Sequence, residues 1–269
     1  MGDFLKLQFL AVVQGLTEFL PVSSSGHLSL LKTAFGLDSG SGSGGPLLEL
    51  LLHLGTLVAV LLFYRRRLAE LFCGLFRRDK EAWRYVLAIL VSMLPAGVLY
   101  FFCHDAVEAA FSAPAVVAGL LMCTGVMLLT LKCVPKAGSH RSPGIVSGML
   151  IGLAQAVALL PGISRSGSTY CAARWLKIDS KSAFDFSFLM SVPVIGGAVL
   201  LKAPHIMELG ENGSFSFLSM LCATFLSGAV GYASLKILAL LRVAGKFWYF
   251  GLWCLAVGAV SLLCALSAA

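Results

Sequence analysis

Gln14 and Glu18 stand four residues apart, a spacing that puts two side chains on one face of a helix, and Ser23, Ser24, Ser25, Gly26 and His27 follow directly. A second polar group lies far along the chain, where Arg165 is flanked by Ser164, Ser166, Gly167, Ser168 and Thr169 behind Pro161 and Gly162. A guanidinium fork, hydroxyls and the exposed amides of a helix start all suit phosphate oxygens, and glycine lets backbone come close to a ligand. Taken together, a carboxylate, a hydroxyl, an imidazole and a guanidinium are the parts of a phosphoryl-transfer site. The serines and glycines alone could be explained as small residues that let membrane helices pack closely, but that does not account for Arg165 or Glu18. Ionisable groups at such depth are costly to desolvate and so point to function.

Both groups interrupt otherwise apolar sequence. Of 269 residues, 58% are hydrophobic and only 12% charged, far from the quarter expected of a soluble domain. Mean hydropathy is +0.90, so the bilayer is the expected solvent and helices the expected elements. The amino terminus shows no basic region, short apolar run and cleavage site of a signal peptide, so the first helix is expected in the mature protein. A net charge of +7 raises nucleic acid as a partner, but the basic residues fall in short loops between apolar segments and argue against it. The eight cysteines are scattered without metal-type spacing and read as small buried hydrophobes.

Arg65, Arg66, Arg67, Arg77, Arg78, Lys80 and Arg84 place a loop at 65–84 in the cytoplasm by the positive-inside rule. From there the segments 47–64, 85–103, 114–134, 184–201, 217–240 and 247–266 read as six spans. His104 to Glu108 forms an outer acidic loop, while Lys132, Lys136, Arg141, Arg242 and Lys246 lie inside. Residues 4–36 and 144–177 do not fit as simple spans, because the apolar piece after each polar loop is only about half long enough. Both read as re-entrant helix-loop-helix units, the first dipping from outside, followed by a flexible external loop DSGSGSGG at 38–45. The count puts both termini outside.

A shift of 141 positions superposes Gln14 on Gln155, Ser23 on Ser164, Ser25 on Ser166 and Gly26 on Gly167. The expected fold is therefore an all-α polytopic membrane protein of two inverted-topology repeats, 1–135 and 136–269, each a re-entrant unit followed by three transmembrane helices. Glu49 and Asp185 each open the first span after their re-entrant unit, and they join His53 as candidates to line the cavity, with helix packing an equal reading for His53. His104, His140 and His205 are expected in exposed loops.

QGLTE (14–18), PVSSSGH (21–27) and PGISRSGST (161–169) resemble, in order, the signature pattern of the undecaprenyl pyrophosphate phosphatases, the bacitracin resistance protein family. The resemblance runs through ELLLHLGTLVAVLLFYRRR and FSFLMSVP and covers nearly the whole chain. It implies hydrolysis of undecaprenyl pyrophosphate to the monophosphate in the bacterial inner membrane. That reaction recycles the lipid carrier for peptidoglycan synthesis, with the site open to the outer face. The family motif takes Glu or Gln at position 14; Gln14 here weakens any two-carboxylate metal site and leaves Glu18 as the stronger ligand for a divalent cation, magnesium or calcium.

On this reading Arg165 clamps the phosphates with Ser164, Ser166, Gly167 and Thr169, and Ser23, Ser25 and Gly26 complete the cradle. Ser24 attacks phosphorus or positions the attacking water, while His27 and Glu18 handle protons and metal, and His27 is an alternative nucleophile. The rival reading is a transporter or flippase binding an anionic lipid head group at midplane, for which Ser24, His27 and Glu18 would be superfluous. A homo-oligomer is left open by the sequence.

Overall fold

The computed structural model describes residues 3–35, 45–135, 142–209 and 216–267. All regular structure among them is helical. It begins with α1 (Asp3–Thr17), α2 (Ser24–Ala34), α3 (Gly45–Phe63), α4 (Arg65–Phe76), α5 (Lys80–Phe111) and α6 (Pro114–Leu129), with a 3-10 turn at Thr130–Cys133. There follow α7 (Ile145–Val157), α8 (Arg165–Trp175), α9 (Ser180–Leu189), α10 (Ser191–Leu209), α11 (Phe217–Val243) and α12 (Tyr249–Ser267). Five helical stretches are long and apolar enough to cross a membrane: Lys80–Phe111, Pro114–Cys133, Ser180–Leu200, Phe217–Val243 and Tyr249–Ser267. A sixth, Leu47–Phe63 continuing into Arg65–Phe76, qualifies if the 72° bend between the two counts as one broken span.

α2 and α8 are different. Each has 11 residues, so at a rise of about 1.5 Å per residue each reaches about 16 Å, half of a roughly 30 Å hydrocarbon layer. Each follows another short helix, α1 or α7, across a tight turn that carries one of the polar motifs.

The longer helices hold these broken pairs. α5 lies along α7, α11 lies along both α1 and α3, and α6 packs against α12. Small residues make the close crossings feasible: a side chain at Gly152 on α7 would run into the backbone of Ser92 on α5. Large apolar residues such as Phe101, Phe102, Phe217 and Phe225 point outward, as a lipid-facing surface requires. At one end of the bundle an aromatic core of Tyr64, Tyr85, Tyr170, Phe184, Phe186 and Phe247 is ringed by cations. There Arg67 sits 5.4 Å from the Tyr85 ring centre and Arg242 5.6 Å from that of Phe184. Arg174 donates to the carbonyls of Ile178 and Pro135 at 2.6 and 2.9 Å, joining α8 to the end of α6.

Several boundaries differ from those expected. The basic stretch 65–84 is no loop: it folds into α4, an amphipathic helix that ends at Phe76, and the start of α5, the two separated by Arg78, which has a φ of 56°, and the Asp79 cap of α5. The acidic segment 104–108 continues α5 past a distortion at Cys103, and His104 there pairs with Glu108 one turn on at 3.1 Å. The span expected at 184–201 starts at Ser180, capped by Asp179, and is divided at Met190. His205 lies within the backbone of α10 rather than in a loop. The polar motifs are themselves partly helical, since Ser24 to His27 and Arg165 to Thr169 form the first turns of α2 and α8. Of the eight cysteines, all free, only Cys171 and Cys254 are buried; apolar runs in a membrane protein face lipid as well as core. Residues 38–44 of the glycine-serine segment, together with Lys136, His140 and Arg141, lie outside the described residues.

Candidate active site

Each polar turn is closed by a serine cap. Ser23 Oγ accepts from the Gly26 N–H at 3.3 Å and Ser164 Oγ from the Gly167 N–H at 3.1 Å, so one otherwise unpaired amide of each short helix is satisfied by its own sequence. The turns then meet. A Cβ on Gly26 would stand 3.0 Å from Gly162 Cα, and one on Gly167 would stand 3.3 Å from Pro21 Cβ. Ser166 Oγ donates to Leu20 O at 3.4 Å. As a result the amino-terminal ends of α2 and α8, each carrying the positive end of a helix dipole, converge on one spot.

Glu18 occupies that spot, with its side chain only 6% exposed. Arg165 Nη2 donates to Glu18 Oε1 at 2.8 Å across 147 residues of sequence. Ser24 Oγ donates to Oε2 at 2.8 Å, and Gln14 Nε2 donates to the same oxygen at 3.1 Å. His53 Nε2 on α3 lies 3.6 Å from Oε2. A buried carboxylate needs such a set of donors, since its charge is otherwise expensive to hold away from water. Two atoms here remain unmatched: Arg165 Nη1 and Gln14 Oε1 are buried and have no hydrogen-bond partner among the described residues. Native structures rarely leave such groups unpaired, so both are candidates to bond a polar ligand.

Three spaces that share lining residues lie at or beside this cluster. A notch of about 50 Å³ is lined by Glu18, Ser23, Ser24, Ser25, Arg165 and Ser166. It adjoins a cavity of about 250 Å³ between α3 and α10 whose walls include Leu50, Val194, Ile195 and Ala198 together with Glu49 and His53. Ser25, Glu49 and His53 also border a cleft of about 590 Å³ lined by Lys32 and by Phe111 and Ser112 at the end of α5. Lys32 and Glu49 form an ion pair at its wall.

Four residues read from the sequence do not line the notch. Both nitrogens of His27 are engaged, Nδ1 at 2.9 Å from Ser23 O and Nε2 accepting from Trp253 Nε1–H at 3.0 Å. The Thr169 hydroxyl contacts Ser187 Oγ on α9 at 2.5 Å and donates to Arg165 O, tying α8 down rather than facing the notch. Gly167 serves packing of the turns. Asp185 accepts from Tyr64 Oη at 3.1 Å at the basic end of the bundle and lines none of the three spaces.

Thr124 and Trp253 escaped the sequence reading. Thr124 Oγ1 on α6 donates to Gly162 O at 2.7 Å and accepts from the Ser164 N–H at 3.0 Å. Each stands as one polar atom in an apolar run, which carries no signal of its own.

The sequence matches the profile of the bacitracin resistance protein BacA family over residues 7–260. It is 33% identical to an undecaprenyl-diphosphatase of Rhodopirellula baltica over 98% of both chains. Similar proteins of the same name occur in Salinibacter ruber, at 34% identity over 94% of this chain and 96% of the relative, and in Methanococcus vannielii, at 37% over 91% and 94%. This chain belongs to the bacitracin resistance protein BacA family.

Proposed function

We propose that this membrane protein hydrolyses undecaprenyl pyrophosphate to undecaprenyl phosphate and inorganic phosphate, and so recycles the carrier for peptidoglycan synthesis and confers bacitracin resistance. One observation carries the reading: Glu18 holds the guanidinium of Arg165 through one carboxylate oxygen and the hydroxyl of Ser24 through the other. A phosphate clamp and an attacking oxygen thus share a single base. The activity named for the relatives is in keeping with it.

Arg165 takes a phosphate oxygen on its unmatched Nη1, which draws the guanidinium toward the substrate and loosens its hold on Glu18. Ser24 Oγ then attacks the terminal phosphorus while Glu18 Oε2 accepts its proton. The bond from that phosphorus to the bridging oxygen breaks, Glu18 passes the proton to the departing oxygen, and undecaprenyl phosphate leaves. Glu18, again a carboxylate, takes a proton from water as the water attacks the seryl phosphate; the bond from phosphorus to Ser24 Oγ breaks, and Glu18 returns the proton to Oγ as phosphate is released.

The site also suits a hard divalent cation, Mg2+ or Ca2+. Gln14 Oε1 is a buried oxygen without a partner beside Glu18, and these two residues would hold the ion. Among the described residues no group of three or more His, Cys, Asp or Glu is arranged to hold a metal ion, so the substrate's own oxygens would have to complete the shell. When bound, such an ion offsets the charge of the phosphates.

The two broken helix pairs are read as re-entrant units of inverted repeats. The reciprocal packing of α5 on α7 and α11 on α1 supports this, since each half lends a long helix to the short one of the other. The cation-ringed end is assigned to the cytoplasm and the cleft near Lys32 and Phe111 to the outer face of the bacterial inner membrane, which leaves both termini outside. The isoprenoid tail stays in lipid, and the apolar wall of Val194, Ile195 and Ala198 faces its first carbons.

The test is phosphate release from undecaprenyl pyrophosphate by purified protein in lipid nanodiscs. Glu18→Ala and Arg165→Ala should each lose at least about a hundredfold in rate while remaining monodisperse. Near-normal turnover by either variant would reject the assignment.

A further inference from the structure

His27 is buried in the first turn of α2, and its ring is held from two sides. The indole nitrogen of Trp253 carries a hydrogen and no lone pair to offer, so in the 3.0 Å contact it must donate, and His27 Nε2 must accept. The single proton of the neutral ring is then on Nδ1, where it donates to Ser23 O at 2.9 Å. Heavy-atom positions alone fix this tautomer. The two rings are nearly parallel, at 7° with centres 6.4 Å apart.

With both nitrogens committed, the imidazole has no lone pair free for phosphorus and none for a proton. What it does hold is Ser23, whose backbone lies at φ 66° and ψ 94°, a conformation that side chains rarely adopt and that surrounding contacts must impose. Ser24 follows directly and donates to Glu18. A continuous chain of bonds therefore runs from α12 through His27 and the Ser23 carbonyl to the hydroxyl that serves as nucleophile in the proposed reaction.

We infer that Trp253 is a positioning residue for the reaction: by donating to His27 Nε2 it locks the imidazole onto Ser23 O and so aims Ser24 Oγ at Glu18. This rests on the phosphatase reading for its kinetic consequence, but not for the tautomer itself.

The proposal is tested with Trp253→Phe, which keeps an aromatic ring and deletes the donor, and with benzothienylalanine at position 253, which replaces the indole N–H by sulfur at nearly the same shape. Phosphate release from undecaprenyl pyrophosphate and the 15N spectrum of His27 are measured for each. In both proteins kcat should fall about tenfold, the scale of one lost hydrogen bond, with KM within about twofold. The His27 spectrum should change from a single Nδ1–H tautomer to a mixture. A ring that merely packs would leave kcat and the tautomer unchanged in the benzothienyl protein, and that result overturns the proposal even if Trp253→Phe fails to fold. Absence of phosphate release by the unsubstituted protein would instead reject the phosphatase reading, and the tautomer measurement would still decide whether Trp253 sets the state of His27.

Discussion

Thr124 spans the second polar turn from outside it: one hydroxyl both donates to the Gly162 carbonyl and accepts from the Ser164 amide, at 2.7 and 3.0 Å. The next residue in the chain is Arg165, so this hydroxyl from α6 sets where the guanidinium begins. Both bonds are buried, so neither backbone group has water to fall back on.

Thr124→Val keeps the shape and removes both bonds. It should cost on the order of 2 kcal/mol of stability and lower turnover, because a loosened turn lets Arg165 drift from Glu18. Thr124→Ser retains the hydroxyl and should retain most of both. The measurements are the thermal midpoint in detergent and phosphate release; a valine variant matching the unsubstituted protein in both would show that the turn holds itself.

Gly162 and Gly26 make a graded steric test. Gly162 has a φ of +99°, and a Cβ there would sit 2.5 Å from Val117 O, so Gly162→Ala is opposed by both backbone conformation and space. Gly26 is in an ordinary helical turn, and its Cβ would meet Gly162 Cα at 3.0 Å, a contact that a few tenths of an ångström could relieve. Folded yield and thermal midpoint should therefore fall far more for Gly162→Ala than for Gly26→Ala. The reverse order would mean that the two turns are not packed as described.

Polar residues stand out in apolar sequence, which is why Glu18, Ser24 and Arg165 are legible from residue type and place alone. Their mutual bonds are not, since the Glu18–Arg165 pair closes over 147 residues and depends on how two short helices meet. His27 draws attention by type and position, yet its partner Trp253 lies 226 residues away in a lipid-facing helix and looks like any membrane tryptophan. Glu49 and Asp185 show a different limit. They open comparable segments, but Glu49 pairs with Lys32 beside the site whereas Asp185 bonds Tyr64 at the cation-ringed end. The proposed inverted repeat would carry matching residues to opposite ends of the bundle unless they start near its axis, so likeness of position in sequence does not predict a shared cavity. The extra helix α4 is hidden for a simpler reason: a run of arginines marks a membrane side and says nothing against helix.

Gln14 offers a way to read the cation site without relying on catalysis. Its amide nitrogen donates to Glu18 Oε2 at 3.1 Å. In Gln14→Glu that donor becomes a second carboxylate facing the first in a site largely closed to water. Without metal the two charges repel and the variant should melt below the unsubstituted protein; with Mg2+ or Ca2+ they share the ion and most of that loss should return. The expected result is a rise in thermal midpoint on replacing EDTA by millimolar Mg2+ that is several degrees larger in Gln14→Glu than in the unsubstituted protein, since one kcal/mol moves a midpoint by about 2–4 °C in a chain of this size. Equal responses in the two proteins would place the cation away from Gln14 and Glu18, and would leave Arg165 and the helix ends as the groups that balance the phosphates.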